Sequence, residues 1–489
     1  MRRAVLALCA LACLGCRGGD EGPRHLLLVT LDTVRADRVG YAGGRPGVTP
    51  RLDALAAEGA AFLDCWAPRG QTWPALASLW TGELPLVHGV RENGLALPPG
   101  TPTVAAAFRA GGFRTGAFLA NSCEAWGLDT FDTLVCGRSA EETAGDQARL
   151  QSVWDERVVD AALEWMELSE QPSLSWVHLY DAHKPWPTVA PYGERFLDPA
   201  YRGALRAEPG AVANGHDMPY HQRVDALALQ GAPPQGADRE ALLATYDGGL
   251  AAVDAQLGRL LDALERSGRL EDTLVVVSSD HGEELYDHLA YPYHGAALHG
   301  STLRVPLVFW HPPRVPAGLR VSSGVELIDL APTLLSIFDL PAPIDFPGRD
   351  LSATFVEGAQ LAPASDALSE VVQLTHSGGR VQLGQSAYAL RRGRWRLIWN
   401  PERVAIQKAP FEGAHPGLVH ESALYDLEVD PAETRDVSAE HPELVEELAA
   451  ALEARVAALA RRARSAAPPD PAVLETLSNL GYGGGASED

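Results

Sequence analysis

The feature that most constrains this chain is a short, unbroken apolar run that ends in an acid, met twice at distant places. The first is His25-Leu26-Leu27-Leu28-Val29-Thr30-Leu31, closed by Asp32. The second is Thr273-Leu274-Val275-Val276-Val277, which runs through Ser278-Ser279 to Asp280. Runs this short, without alternation of polar and apolar residues, read as strands buried on both faces, the strands of α/β proteins. Val305-Pro306-Leu307-Val308-Phe309-Trp310 reads as a further strand. Helical patterns lie between them. Thr49 is a candidate N-cap, Pro50 suits a first helical position, and Gly59 marks the stop. Leu250, Val253, Leu257, Leu260, Leu261 and Leu264 recur at helical spacing and predict a helix that lays one face on the sheet. In open α/β sheets ligands bind beyond the carboxyl ends of strands, so the two terminal acids mark the place to look for chemistry.

A chain of 489 residues with 46% hydrophobic content buries a large core and exceeds the usual single-domain size. We expect a large domain over 24–358 and a smaller C-terminal α+β domain over 375–489. The smaller one is expected from a hairpin, Tyr388-Ala389-Leu390 turning at Arg392-Gly393 into Trp395-Arg396-Leu397-Ile398, and from a Leu/Ala/Glu-rich helix from Leu444 to Ala460. Residues 360–373 read as a loop or linker, and 194–237 as an insertion or long surface loop. The formal charge of −24 disfavours nucleic acids and anionic membrane surfaces as general partners. An anionic substrate would then need a local cation, which favours a metal site over a broad basic patch.

The first 22 residues read as a signal peptide. Arg2-Arg3 precedes an apolar run from Ala4 to Gly15, too short to span a bilayer, and polar residues follow from Arg17. Cys13-Leu14-Gly15-Cys16 resembles a lipobox with Cys16 as the lipidated residue, although cysteine stands at position 13 where leucine is usual. Ordinary cleavage therefore stays open beside a membrane tether through Cys16. Either route sends the chain to the periplasm or cell envelope. In an oxidising compartment Cys123 and Cys136 could pair across a short loop, leaving Cys65 as a buried thiol.

Four clusters carry the chemistry. They are Asp32-Thr33-Val34-Arg35-Ala36-Asp37; Thr72-Trp73-Pro74-Ala75-Leu76; His178-Leu179-Tyr180-Asp181-Ala182-His183-Lys184-Pro185-Trp186; and Asp280-His281-Gly282-Glu283, followed by His294-Gly295 and Leu303-Arg304-Val305-Pro306. In this order, and continued by Asp329-Leu330-Ala331-Pro332, Gly348-Arg349-Asp350 and Leu424-Tyr425-Asp426, the series resembles the sulfatase family over nearly the whole mature chain. The resemblance implies a large mixed sheet flanked by helices, of the alkaline-phosphatase type. By residue chemistry, Asp32, Asp280 and His281 suit one divalent cation, with calcium, magnesium, manganese and zinc all open. Such a cation lowers the pKa of a bound hydroxyl, here that of Thr72, which is the candidate nucleophile. His183 and His294 suit protonation of the leaving oxygen and binding of anionic oxygens, and the resemblance places both in the substrate pocket. Arg35 and Asp37 could form a supporting ion pair, whereas His288 and His299 read as structural. Asn121 falls in the region where the family keeps a pocket lysine.

The departures shape the expected reaction. Sulfatases carry cysteine or serine at the position of Thr72, converted to formylglycine within a Cys-x-Pro-x-Arg pattern. Here Pro74 is kept, but Thr72 and Leu76 replace the cysteine and the arginine. Threonine cannot become an aldehyde, because its carbinol carbon already bears a methyl group. An unmodified threonine is the nucleophile of the similar phosphoethanolamine and phosphoglycerol transferases. Thr33 stands where many sulfatases have a second aspartate. The expectation is therefore a metal-dependent hydrolase or transferase acting on a small-molecule, glycan or lipid ester of phosphate or sulfate. The competing readings are an exported pseudo-sulfatase that only binds, and a lipid-anchored module with a structural metal.

Overall fold

The first apolar run forms strand β1 (His25–Leu31), buried at every residue. Leu26 and Leu28 enter one hydrophobic core, while Leu27, Val29 and Leu31 enter another on the opposite face. This two-sided burial is what an unbroken apolar strand requires, and each leucine contributes about 1.5–3 kcal/mol. A computed structural model describes residues 22–120, 128–137, 147–184, 234–288, 294–356, 366–377, 380–403 and 421–466, with short pieces between 186 and 217 and at 405–406 and 418–419. The leader with Cys16, Asn121, Cys123 and most of the 194–237 stretch lie outside the described residues.

Eight further strands complete the main sheet: β2 (Ala60–Trp66), β3 (Arg114–Leu119), β4 (Thr133–Cys136), β5 (Ser173–Leu179), β6 (Thr273–Ser279), β7 (Arg304–Trp310), β8 (Leu319–Val321) and β9 (Val325–Glu326). The order is β8-β2-β7-β6-β1-β5-β3-β4, with β9 also paired to β2. Only β7 runs against its neighbours β2 and β6, so the sheet is mixed. Leu31 of β1 lies opposite Leu179 of β5 and Ser279 of β6. The residues that follow these three therefore leave the sheet side by side at one edge.

Helices α1 (Pro50–Glu58), α3 (Gln147–Glu167) and α4 (Ala237–Arg266) cover one face, and α2 (Thr72–Thr81) and α5 (Leu330–Ile337) the other. The start of α1 departs from expectation. The Thr49 side chain caps nothing: its hydroxyl accepts from Gly40 N at 2.9 Å and donates to Asp53 Oδ1 at 3.1 Å. The first helical amides, Arg51 and Leu52, donate instead to the two carboxylate oxygens of Asp254 on α4 at 3.0 and 2.9 Å. A tertiary contact has taken over a local capping role.

A second, antiparallel sheet runs β10 (Ala367–Ser377), β11 (Arg380–Arg392), β12 (Trp395–Trp399), β13 (Ala423–Asp426), with α6 (Pro442–Ala460) packed on it. The hairpin turn falls at Gly393, which takes a φ of 57°. The expected linker at 360–373 is half strand, because β10 starts at Ala367. Ala367 and Val371 join the core of the main sheet while Leu368 joins the one under α6. Cys136 is disulfide-bonded, and Cys65 is a buried free thiol.

Candidate active site

The carboxyl edge of the main sheet brings together side chains from four remote segments. Asp32 follows β1, and Asp280 and His281 follow β6. Donor atoms of these three buried residues lie within 4.8 Å of one another. Asp280 Oδ1 accepts the amides of Thr33 at 3.1 Å and His281 at 2.7 Å, whereas Oδ2 has no partner. Asp32 Oδ2 is bonded to His178 at 3.2 Å, and Oδ1 has no partner. His281 Nδ1 donates to the Gly282 carbonyl at 2.9 Å, which leaves Nε2 as the basic nitrogen, 3.4 Å from Asp280 Oδ2. Two orphaned carboxylate oxygens and one basic nitrogen, all out of water, cost stability unless something satisfies them. A divalent cation fits this donor set.

Thr72 opens α2, which follows β2 at the same edge, and it occupies the first helical turn rather than the capping position. Its Oγ1 lies 3.4 Å from His281 Nε2. At that helix end Trp73 N donates to Asn93 Oδ1 at 3.0 Å and Pro74 has no amide proton, so what favours negative charge beside the hydroxyl is the helix dipole.

Both other predicted histidines reach the same place. The His294 ring lies 4.7 Å from that of His281 and 5.1 Å from that of His183. Nδ1 of His294 faces both oxygens of Glu283 at 3.2 and 3.3 Å. His183 stacks on Tyr180 at 4.3 Å, and its Nδ1 donates to the Lys184 carbonyl. Burial, reinforced by His294 and His281, holds its pKa well below the ordinary value, so the resting imidazole is neutral. Burial and then the charge of Asp280 push the Asp32 carboxyl well above the carboxylate range. Glu283 is pushed up to about 8, again by burial.

A further buried histidine, His178, stands behind Asp32. Trp176 Nε1 donates to Thr30 Oγ1 at 2.8 Å, and that hydroxyl lies 2.8 Å from His178 Nδ1. Against a carboxylate at Asp32, His178 carries its proton on Nε2 and donates to Oδ2, and its Nδ1 then accepts from the Thr30 hydroxyl. One oxygen of Asp32 is held and the other is left for a ligand. Sequence reasoning assigned no role to His178, Tyr180 or Glu283. A histidine inside an apolar strand is the signal that could have found His178.

Thr33 has a φ of 60°, a strained backbone for a β-branched residue, and its hydroxyl donates to Ala182 O at 3.0 Å. Arg35 pairs with Asp37 at 2.8 Å, as expected. A second group, Glu284, His288 and His299, also clusters donor atoms within 4.8 Å. Here His288 Nδ1 faces Glu284 Oε1 at 3.0 Å and Nε2 faces the Ala432 carbonyl at 2.9 Å. Two acceptors make it an imidazolium. Burial opposes that charge, but the bond and charge of Glu284 prevail and hold the pKa at about 9. The His299 ring lies parallel to it at 3.7 Å, so the in-plane nitrogens of the two rings do not aim at one point. This second cluster is an ion-paired clamp.

The comparisons agree with the fold. The family model described as Sulfatase matches residues 24–340. The chain belongs to the sulfatase family. It is 28% identical over 367 residues to the uncharacterized sulfatase YidJ of Escherichia coli K12, covering 67% of this chain and 70% of that one. It is 24% identical to arylsulfatase K of Bos taurus, over 87% of this chain and 80% of the other. Its fold is similar to the crystal structure of the phosphonate monoester hydrolase of Agrobacterium radiobacter, with a TM-score of 0.67 and 23% identity over 89% and 96% of the two chains. This sulfatase-family chain is an ester hydrolase, and threonine stands at position 72 on the carboxyl edge of its main sheet. Among its described residues no helix is long and apolar enough to cross a membrane.

Proposed function

We propose that this protein is an exported hydrolase of phosphate-type or sulfate esters that works by a covalent threonine intermediate. Asp32, Asp280 and His281 would hold one divalent cation, with Asp32 Oδ1, Asp280 Oδ2 and His281 Nε2 as the donor atoms available to it. When bound, that ion supplies Lewis acidity and lowers the pKa of a neighbouring hydroxyl. Thr72 Oγ1 gives its proton to solvent and attacks phosphorus or sulfur, and the ester oxygen leaves. His294, oriented by Glu283, protonates the leaving oxygen. His183, neutral at rest, gains its proton as the anionic ester arrives and binds one of its oxygens. Water then cleaves the threonine ester and restores the hydroxyl.

The observation that carries this reading is the pair of orphaned, buried carboxylate oxygens facing His281 Nε2, with the Thr72 hydroxyl at hydrogen-bond distance from the same nitrogen. Threonine cannot supply the aldehyde route, which favours phosphate, phosphodiester or phosphonate esters. The proteins it is similar to include both an arylsulfatase and a phosphonate monoester hydrolase. A disulfide at Cys136 supports the exported compartment read from the leader.

The test is a panel of p-nitrophenyl phosphate, phosphodiester, phosphonate and sulfate esters with added calcium, magnesium, manganese or zinc. Thr72→Ala is expected to lower turnover by about a thousandfold or more, with Thr72→Ser retaining part of it. Activity that Thr72→Ala leaves untouched would overturn the mechanism. A wild-type protein that binds metal but turns over none of the panel would favour the binding-only pseudo-sulfatase.

A further inference from the structure

Beside the catalytic edge lies a hollow of about 780 Å³ with Arg45, Arg195, Arg202, Phe196, Asp198 and Glu240 among its walls. Its place follows from the fold. Helix α4 joins β6 through the short turn 267–272, so its C-terminus stands at the amino end of β6 and its N-terminus at the carboxyl edge. Tyr246 of α4 donates to the Thr33 carbonyl at 2.7 Å and accepts from the Arg35 amide at 3.0 Å, right behind Asp32. The hollow is walled by the preceding turns of the same helix, from Ala237 to Ala244. At 1.5 Å of rise per residue it begins on the order of 3 to 14 Å from Tyr246 along the helix axis.

Its cations differ from their neighbours. Along this edge Arg35, Arg38 and Arg239 are each paired with an aspartate. Arg45, Arg195 and Arg202 are exposed and, among the described residues, join no carboxylate. Two of them bond neutral groups: Arg45 donates to the Phe196 carbonyl at 3.1 Å, and Arg202 to those of Pro199 and Tyr201 at 2.8 Å. Arg45 and Arg195 each stand 5.2 Å from the centre of the Phe196 ring. Asp198 and Glu240 line the hollow too, which leaves one net positive charge on a chain whose total is −24. In such a molecule three arginines in no ion pair, outnumbering the two acids beside them, mark a place where negative charge is brought from outside. Their planar forks suit carboxylate, sulfate or phosphate oxygens.

We propose that this hollow is an outer subsite for a second anionic group carried by the ester substrate itself. The natural substrate is then at least a dianion with separated charges, one at Thr72 and one on Arg45, Arg195 and Arg202. This rests on the hydrolase reading above. The test uses the full chain and the triple variant Arg45→Gln, Arg195→Gln, Arg202→Gln, with melting temperature as the folding control. Two quantities are measured: direct binding of a fluorescent dextran sulfate oligosaccharide, and turnover of p-nitrophenyl phosphate with and without that oligosaccharide as competitor. The variant should bind and be inhibited by the polyanion about tenfold more weakly, while its KM for the small monoester changes far less. The wild-type affinity should fall steeply with added salt. Equal losses for polyanion and monoester, or unchanged polyanion binding, overturn the subsite. Inhibition by inorganic phosphate that weakens as much as that by the polyanion assigns the arginines to free anions instead and also overturns it. If no ester is turned over, the binding arm still decides the subsite while the hydrolase reading fails by itself.

Discussion

Thr30 does not touch the candidate metal ligands, yet its hydroxyl decides how one of them is presented. With Asp32 as a carboxylate, His178 donates to it from Nε2, and the Thr30 hydroxyl, itself accepting from Trp176, donates to His178 Nδ1. Replacing Thr30 with valine keeps the shape and removes this relay. His178 is then free to adopt the other tautomer, and Asp32 Oδ2 loses its donor. Partners of this kind behind a ligand are worth about 10- to 100-fold in metal affinity. Thr30→Val is therefore expected to weaken metal binding by that order in a chelator competition titration, with a melting temperature near wild type. A metal affinity unchanged by the substitution would show that Asp32 needs no such support.

At the scale of elements, the second sheet braces the loop that carries His294. Arg396 of β12 is fully buried, lies 4.1 Å from the ring of Trp66, and donates to the Leu298 carbonyl at 2.7 Å. Glu433, in the turn after β13, pairs with Arg396 at 3.0 Å and accepts the Gly300 amide. The next residue back, Ala432, offers its carbonyl to the His288 clamp. Gly282 shows how closely these loops meet, since a Cβ there would lie 2.1 Å from the Ser301 carbonyl oxygen. Removing one partner of a buried ion pair strands the other charge. Glu433→Ala is expected to cost about 3–5 kcal/mol in denaturant unfolding and to lower turnover through a displaced His294. A loss under about 1 kcal/mol would mean that Arg396 finds another acceptor or water.

For the whole molecule, the acids of the site oppose folding unless a cation or a proton answers them. Glu283 titrates at about 8 in the fold against an ordinary 4.5, and Asp32 is raised as well. The folded state thus holds more protons than the unfolded chain across that window. Stability is complete below the unfolded pKa and is lost as pH rises through the folded one. A bound cation favours the charged form of Asp32 and offsets this loss. Calorimetry of chelated protein should show a melting temperature that falls between about pH 5.5 and about pH 8. Metal at a hundred times its Kd should restore about 2.7 kcal/mol, with a larger shift at the higher pH. A metal-induced shift that shrinks as pH rises would contradict the assignment of Asp32 as a ligand.

Much of this was legible without coordinates. The two-faced strands that become β1 and β6 announce themselves because an apolar run needs burial wherever it lies. Asp32, Thr72, His183, Asp280, His281 and His294 could be listed from side-chain chemistry and order along the chain, and those six do come together at one edge. What tertiary structure alone decided concerns partners far apart in sequence. Asp254 rather than Thr49 serves the start of α1. Residues 367–372 are strand because two cores press on them from opposite sides. Asp32 sets the tautomer of His178, Glu284 and Ala432 hold a proton on His288, and three arginines from two remote segments meet in no ion pair. Periodicity and residue type report what a segment needs. Which atom satisfies the need depends on the packing of distant segments, and a linear pattern does not encode that.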